Sequence, residues 1–286
     1  MPPMNTMPLP TLYLSHGSPM TALEPREAGA FFRQLGPAID ATWSRPKAIV
    51  ALSAHTLARV PVLLAGARHE AVYDFGGFDP KLYTLRYDAP GAPELARRVA
   101  ALLTEAGFAP QVVDQGGLDH GIWTPLRYVY PDADVPVLPL AFDPYAPPAQ
   151  LQALGRALEP LTHDGVLVVG SGSLTHNLRM VFGGGTRPPI DSAEIPEAAA
   201  FRAWVHERAE HGDTAALLDY RRQAPHAALM HPTDEHWLPW YPAEGAADDG
   251  AQARRLHASL TFGCLAMDAY AFGSGAAALQ AALPAS

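Results

Sequence analysis

The chain has 286 residues, enough for one large α/β domain or two small ones. Apolar residues make up 48% of the sequence and charged residues 17%, which excludes a disordered chain. The net charge of −9 comes from 20 basic and 29 acidic residues without a cluster of lysine or arginine, so neither nucleic acid nor an anionic membrane is an expected partner.

Short apolar runs alternate along the chain with longer runs of helical periodicity. In the stretch APELARRVAALLTEAG, apolar residues recur at helical spacing and Gly107 follows as a stop signal. In chain order the predicted elements are a strand at Thr11–Ser15, a helix at Glu27–Leu35, strands at Lys47–Ser53 and Val60–Ala65, a helix at Pro93–Ala106, a strand at Gln111–Val113, a helix at Gly121–Tyr130, a strand at Val135–Phe142, a helix at Pro148–Leu161, a strand at Val166–Gly170, helices at Pro196–Glu210 and Thr214–Ala224, and a strand at His257–Ala266.

This alternation predicts a single α/β domain over residues 1–286, with a central mixed β-sheet flanked by helices. No internal repeat, low-complexity linker or shift in composition marks a domain boundary. In an open sheet of this kind, ligands bind outside the carboxyl ends of the strands. Polar residues directly after a strand are therefore the first candidates for a functional site.

The single cysteine, Cys264, lies in the apolar stretch LTFGCLAMDAY and indicates a reducing compartment, where it is expected to be a buried core thiol. The stretch MPPMNTMPLP lacks the basic and apolar regions of a signal peptide. No apolar run approaches the roughly 18 residues that a membrane helix needs. We therefore expect a cytoplasmic protein without membrane contact.

Three predicted strands are followed by a histidine. His16 comes directly after the strand in LYLSHGSP, and His55 follows the strand in AIVALSAHT. His176 follows a third strand through the Gly-Ser turn of GSGSLTHN, which predicts a more movable side chain. Loops at one edge of a sheet bring such residues together whatever their separation in sequence, so a shared site is expected.

The twelve histidines divide by their local sequence. Those in unusual contexts such as LDHGIW and HPTDEHWLPW are the candidates for chemistry: His16, His55, His120, His176, His231 and His236. Neutral imidazole is a common ligand of zinc and non-haem iron, but no short zinc motif, Walker loop or G-x-S-x-G elbow is present. Any metal site is therefore assembled by the fold. The other histidines are expected on the surface (His69, His163, His206, His211 and His226) or in a structural role (His257).

Seven blocks of the sequence carry a family resemblance, in matching order: LSHGSPM, PKAIVALSAHT, YDFGGFDPKLYTLRYDAPG, GLDHGIWTPLRYVYPDADVPVLPL, GSGSLTHNLR, HPTDEHWLPW and ASLTFGCLAMDAYAFG. Together they cover nearly the whole chain, which resembles the DODA-type extradiol ring-cleaving dioxygenases of the class III extradiol, or LigB-like, superfamily. The resemblance implies a non-haem metal-dependent enzyme that inserts O2 into a catechol ring. It implies cleavage beside, rather than between, the two hydroxyls of a substrate such as a dihydroxyphenylalanine-like compound.

The resemblance also implies a metal site. His16 and His55 match two metal ligands of the family, and His236 matches the third. The protocatechuate branch of the superfamily supplies a glutamate as its third ligand, and Glu235 stands beside His236, so either side chain could face the metal. The DODA branch favours His236. Fe(II) is the expected metal for activity, and zinc is expected to be able to replace it in a crystal.

Two further histidines receive roles from the resemblance. His176 matches the acid–base residue, with a role as fourth metal ligand left open, and His120 matches a residue that orients substrate. Histidine suits proton transfer because its unperturbed pKa lies close to neutral pH. Aromatic residues expected to wall the substrate are Trp237, Trp123, Tyr73 and Phe75.

The expected partners are a small aromatic diol and O2, for a protein that acts alone or as a homodimer. Two alternatives use the same histidines. A zinc hydrolase would use a zinc-bound water to attack an ester or amide. A non-enzymatic metal-binding protein on the same fold would need no acid–base pair, and the presence of both His120 and His176 argues against it.

Overall fold

An eight-stranded mixed sheet organises the chain in the computed structural model, which describes residues 7–248 and 253–284. The strands are β1 (Thr11–Ser15), β2 (Ala48–Ser53), β3 (Val62–Leu64), β4 (Arg68–His69), β5 (Ala89–Pro90), β6 (Gln111–Val113), β7 (Val137–Ala141), β8 (Val166–Gly172), β9 (Arg254–His257), β10 (Leu260–Thr261), β11 (Leu265–Ala266) and β12 (Ala269–Phe272). The helices are α1 (Arg26–Trp43), α2 (Pro93–Glu105), α3 (His120–Val129), α4 (Pro148–Leu158), α5 (Pro160–His163), α6 (Leu178–Phe182), α7 (Pro196–Glu210), α8 (Thr214–Leu218), α9 (Tyr220–Gln223), α10 (Ala227–Met230), α11 (Trp240–Gly245) and α12 (Ala276–Ala282), with 3-10 helices at Pro19–Ala22 and Pro80–Thr84.

The strand order across the large sheet is β6-β3-β7-β2-β8-β1-β12-β9. The middle strands β7, β2, β8 and β1 run parallel, whereas β3 is antiparallel to β7 and β12 is antiparallel to β1. Strands β1, β2 and β8 are buried along their whole length, as expected for parallel strands covered by helices on both faces. Their carboxyl ends therefore meet at one edge of the sheet.

Side chains of β2 alternate between two buried apolar layers. Ile49 and Ala51 face the layer that α1, α3 and α12 cover, while Val50 and Leu52 face the layer that α2, α4, α7 and α11 cover. This alternation follows from the two-residue period of a strand. One mixed sheet between two helical layers confirms the predicted fold class.

Helix α1 is longer than its sequence pattern predicts. The prediction ended at Leu35, before Gly36 and Pro37, but the helix continues to Trp43. A proline inside a helix removes one backbone hydrogen bond. Packing against α3 outweighs that loss, because Gly36 lies so close to the carbonyl of Val129 that an added Cβ would sit 2.0 Å from its oxygen.

The predicted C-terminal strand His257–Ala266 is wrong in its extent. His257 ends β9, and the chain then reverses in a β10–β11 hairpin, where Phe262 and Gly263 have φ values of 56° and 69°. Strand β12, which the sequence pattern did not predict, pairs with β1 and β9. Two predicted helices are each divided: Pro148–Leu161 into α4 and α5, and Thr214–Ala224 into α8 and α9.

No helix within the described ranges is both long and apolar enough to cross a membrane. The signal-peptide prediction concerns residues 1–10, of which residues 1–6 lie outside the described part. Cys264 is buried, as its apolar sequence context predicts.

Candidate metal centre

Three histidines converge at the carboxyl edge of the sheet. His16 follows β1 directly, His55 comes two residues after β2, and His236 lies in the loop between α10 and α11. Each offers a ring nitrogen, and these nitrogens all lie within 4.8 Å of one another. His16 and His236 are buried, and His55 is half-buried. The parallel strands thus bring His16 and His55 to one edge, and the loop between α10 and α11 adds His236, which lies 220 positions after His16 in the sequence.

The tautomer of His16 follows from its hydrogen-bond partner. The hydroxyl of Ser171, on the neighbouring strand β8, donates to the carbonyl oxygen of Gly121, which can only accept. Ser171 Oγ, 3.0 Å from His16 Nδ1, must therefore accept a hydrogen bond from that nitrogen. The proton sits on Nδ1, and the Nε2 lone pair of His16 is free.

His55 and His16 face each other through their Nε2 atoms. The two Nε2 atoms are 3.2 Å apart, and His55 Nδ1 lies 3.6 Å from the carboxylate of Asp74, which favours the proton on Nδ1. Two lone pairs then point at one another, an arrangement that a cation between them would stabilise. Two nitrogens that bind one ion at about 2.1 Å lie roughly 3.0 to 3.4 Å apart for ligand angles between 90° and tetrahedral. The donor pair therefore fits a divalent metal ion.

His236 is oriented by its neighbour Glu235. Glu235 Oε1 lies 3.2 Å from His236 Nδ1, which leaves Nε2 of His236 for other contacts. The backbone of His236 is anchored, because its carbonyl accepts hydrogen bonds from Tyr13 Oη at 2.9 Å and from the Ser173 amide at 2.9 Å. The ligand atoms of Glu235, His176 and His236 also lie within 4.8 Å of one another. His236, but not Glu235, belongs to the set formed with His16 and His55.

Asp74 is a site residue that the sequence analysis did not single out. Its carboxylate accepts hydrogen bonds from the backbone N–H and from Nδ1 of His120, at 3.0 and 2.9 Å, and it also lies near His55. Burial would raise the pKa of Asp74, but the bonds and charge of His120 outweigh it and hold that pKa below its ordinary value. The signal was present in the block YDFGG, an acidic residue between two aromatic ones.

His120 therefore uses Nδ1 for a hydrogen bond to Asp74 and leaves Nε2 for a ligand. With Nδ1–H directed at Asp74, its Nε2 carries a lone pair, and the residue lines the same cavity as His55 and His236. An imidazole backed by a carboxylate is a general-base arrangement, because the carboxylate stabilises the imidazolium that forms.

His176 makes more contacts than its Gly-Ser sequence context predicts. Its ring stacks on His236 with centroids 3.4 Å apart and an angle of 9° between the ring planes. Its backbone N–H donates to Met230, and the preceding Thr175 hydroxyl donates to the carbonyl of Cys264. Strand β8 continues through Gly172, two residues beyond its predicted end, so part of the predicted Gly-Ser turn is strand.

Burial keeps these imidazoles neutral. Desolvation, followed by repulsion from neighbouring histidines, lowers the pKa of His16 and of His236 well below the ordinary value. The pKa of His55 falls to about 3 because of burial and then of His120, against the opposing charge of Asp74. Burial also lowers the pKa of His176 to about 4. Neutral imidazole is the form that binds metals.

A cavity of about 900 Å³ opens above this cluster. Its lining includes His55, His120, His176 and His236 together with Phe75, whose ring meets His120 edge-on at 5.8 Å. Among the described residues, the lining does not include the other predicted walls Trp237, Trp123 and Tyr73.

Each of those three rings has a packing role instead. Trp237 is fully buried, stacks on Trp240 and donates its indole N–H to the hydroxyl of Tyr241. Trp123 and Tyr73 stand behind Phe75, and their polar atoms donate to the backbone carbonyls of residues 72 and 85. Their prediction as substrate walls is corrected: Phe75 meets the cavity, and the two rings support it from behind.

The cavity lining carries both signs of charge: Glu24, Arg26, Glu27, Asp79, Arg187 and Asp191. The guanidinium of Arg187 lies 4.3 Å from the ring centroid of Phe262 and 5.3 Å from that of Phe182. No carboxylate in the described part of the chain forms an ion pair with it. Arg187 is therefore a cation held by aromatic rings, with its hydrogen-bond donors available to a ligand.

Two other histidines lie elsewhere than predicted. His231, a candidate for chemistry, is fully buried and donates from Nε2 to the carbonyl of Leu174 at 2.8 Å, so it is a structural residue. His69, expected on the surface, is also fully buried. His257 stacks on Phe31 with centroids 4.9 Å apart, in agreement with a structural role.

The comparisons with known proteins agree with this architecture. The family model described as the catalytic LigB subunit of aromatic ring-opening dioxygenase matches residues 10–272. The chain belongs to this family, and it is a DODA-type, LigB-like extradiol dioxygenase, an oxidoreductase that cleaves aromatic rings. This membership sets aside the zinc hydrolase and the non-enzymatic protein.

Individual relatives resemble nearly all of the chain. It is 36% identical to a 4,5-DOPA dioxygenase extradiol of Beta vulgaris over 92% of this chain and 96% of the relative. It is also 36% identical to the protein of that name from Escherichia coli K12, over 86% and 88%. The crystal structure of an uncharacterised E. coli K12 protein, 32% identical, superposes with a TM-score of 0.75 over 93% of this chain and all of that one.

Proposed function

We propose that this extradiol dioxygenase depends on a divalent non-haem metal, functionally Fe(II), and cleaves a catechol that carries a charged side chain. The convergence of the Nε2 lone pairs of His16 and His55, 3.2 Å apart, is the observation that carries the metal dependence. His16, His55 and His236 would hold the ion. When bound, Fe(II) supplies a site that takes the diol and O2 side by side.

His120 and His176 are proposed to handle the protons of the reaction. The free Nε2 of His120 accepts a hydrogen bond from a substrate hydroxyl, and Asp74 stabilises the positive charge that develops when the proton moves. His176, beside His236, is the second proton carrier. His176 is not part of the set of ligand atoms within 4.8 Å that includes His16 and His55, which favours an acid–base role over a role as fourth ligand.

The substrate proposal draws on the relatives and on the cavity. Relatives named 4,5-DOPA dioxygenase extradiol act, by name, on an aromatic diol with an amino-acid side chain. Phe75 offers a ring for the aromatic part, and the unpaired guanidinium of Arg187 suits a carboxylate on the side chain. The volume of about 900 Å³ leaves room for both.

Anaerobic reconstitution with Fe(II), followed by oxygen uptake on a dihydroxyphenylalanine-like catechol, tests the function. We expect one iron per chain, stoichiometric O2 consumption and a yellow ring-fission product opened beside the hydroxyls. Mass spectrometry and NMR of the product identify the bond that breaks. Cleavage between the hydroxyls, giving a muconate, would contradict the proposal, as would equal activity of zinc-loaded protein.

Replacing Arg187 by methionine is expected to raise KM about tenfold for a catechol with a side-chain carboxylate, because a hydrogen-bonded charge pair is lost. The methyl ester of the same catechol should show no change. Arg59→Met is the matched control, since Arg59 also lies 4.3 Å from an aromatic ring, that of Tyr145, but does not line the cavity. An equal KM increase for acid and ester would contradict the assignment of Arg187 to the side-chain carboxylate.

A further inference from the structure

Asp119 stands at the N-terminus of α3 but does not cap that helix. Aspartate at this position normally accepts a hydrogen bond from a backbone N–H of its own first turn. Here the Asp119 side chain makes no such bond, and the His120 amide is satisfied by Asp74 from another segment. The Asp119 carboxylate, 5% exposed as a residue, points instead at the end of β2.

Both oxygens of Asp119 are bound by the segment that carries His55. Oδ1 accepts from the hydroxyl of Ser53 at 2.7 Å, and Oδ2 accepts from the hydroxyl of Thr56. Ser53 Oγ in turn accepts from the backbone N–H of His55 at 3.2 Å. The turn from residue 53 to 56 is therefore tied to α3 on both sides of His55.

The same helix turn is tied to His16. The Gly121 carbonyl accepts from Ser171, which accepts from His16 Nδ1. Contact is so close that a Cβ on Gly121 would lie 2.6 Å from Ser53 Oγ and 3.1 Å from His16 Nδ1. Residues 119–121 thus contact the supports of two facing histidines at once.

Burial of the Asp119 carboxylate costs free energy unless its hydrogen bonds offset the loss of water. Its partners are neutral hydroxyls, and a buried charge without a cationic partner is retained only where its hydrogen bonds are complete. Removal of either hydroxyl leaves a buried oxygen unpaired, so the turn that carries His55 would shift toward a new partner.

We propose that Asp119 is a positioning residue that sets the spacing between the metal-facing nitrogens of His55 and His16, and through that spacing the affinity and geometry of the metal site. The inference rests on the proposed metal dependence. Residues that orient a metal-binding histidine typically change metal affinity by about 10- to 100-fold when removed.

Titration of the metal-depleted full chain with Co(II), followed by visible absorption, tests the inference. We expect Asp119→Ala to weaken Co(II) binding about 10- to 100-fold and Thr56→Val about tenfold, with altered ligand-field bands in both. Because Asp119 holds Thr56 directly, the double variant should bind no more weakly than Asp119→Ala alone. Thr56→Val is nearly isosteric and keeps the test valid where Asp119→Ala does not fold.

Asp213→Ala is the matched control, because Asp213 caps α8 by accepting from the Ala216 amide. It should lower the melting temperature and leave Co(II) affinity and spectrum unchanged. Wild-type affinity and spectrum in Thr56→Val would overturn the positioning role while the metal site stands. A wild-type chain that binds no Co(II) would overturn the proposed metal dependence, and this inference with it.

Discussion

Replacing His55 by alanine is expected to remove metal binding and ring cleavage together. His55 supplies one of two nitrogens that face each other across 3.2 Å, and its loss leaves His16 and His236 as the remaining imidazoles of the group. Metal affinity should fall by more than about 100-fold, since even residues that only orient a ligand contribute about 10- to 100-fold. Iron per chain after anaerobic reconstitution and oxygen uptake on catechol measure the two effects.

His163→Ala serves as the control for this variant. His163 pairs with Glu159 on the surface, and its side chain is 52% exposed, so its removal should change neither iron content nor turnover. If His55→Ala retained one iron per chain and wild-type oxygen uptake, the proposed ligand set would be wrong.

Replacing His176 by alanine is expected to keep the iron and to lower turnover by about 10² to 10⁴-fold, the usual contribution of a general acid–base group. His176 lines the cavity and lies outside the ligand group of His16, His55 and His236. Its ring also stacks on His236, so a simple truncation could disturb that residue.

His176→Phe separates these two effects. It keeps a flat ring against His236 but cannot carry a proton, so we expect its iron content to match that of the wild type while turnover stays as low as in His176→Ala. Iron per chain and turnover are measured on the same samples. Loss of metal in proportion to activity in both variants would make His176 a fourth ligand.

Local sequence patterns were enough to predict many of the strands and helices. Strands β1 and β6 and helix α7 begin and end at the predicted residues, because a proline precedes or begins each of them and a glycine or aspartate follows within two residues of its end. The hairpin near Phe262 and strand β12 were missed because an apolar run does not reveal where the chain reverses. Helix α1 passes Pro37 because tertiary packing overrides a local stop signal.

The sequence by itself determined that the histidines at 16 and 55 would stand at the carboxyl edge of a sheet, because apolar runs that end in a polar residue specify both the strand and its exit. Only the tertiary structure decided what each ring does. The partners that set the tautomers and positions, Ser171, Asp74 and Asp119, lie 155, 46 and 66 residues from the groups they bind. Such contacts depend on strand order and on how α3 docks, neither of which has a local signature. Tertiary contacts likewise decide that Phe75 lines the cavity, whereas Trp237 is buried by its packing against Trp240 of α11.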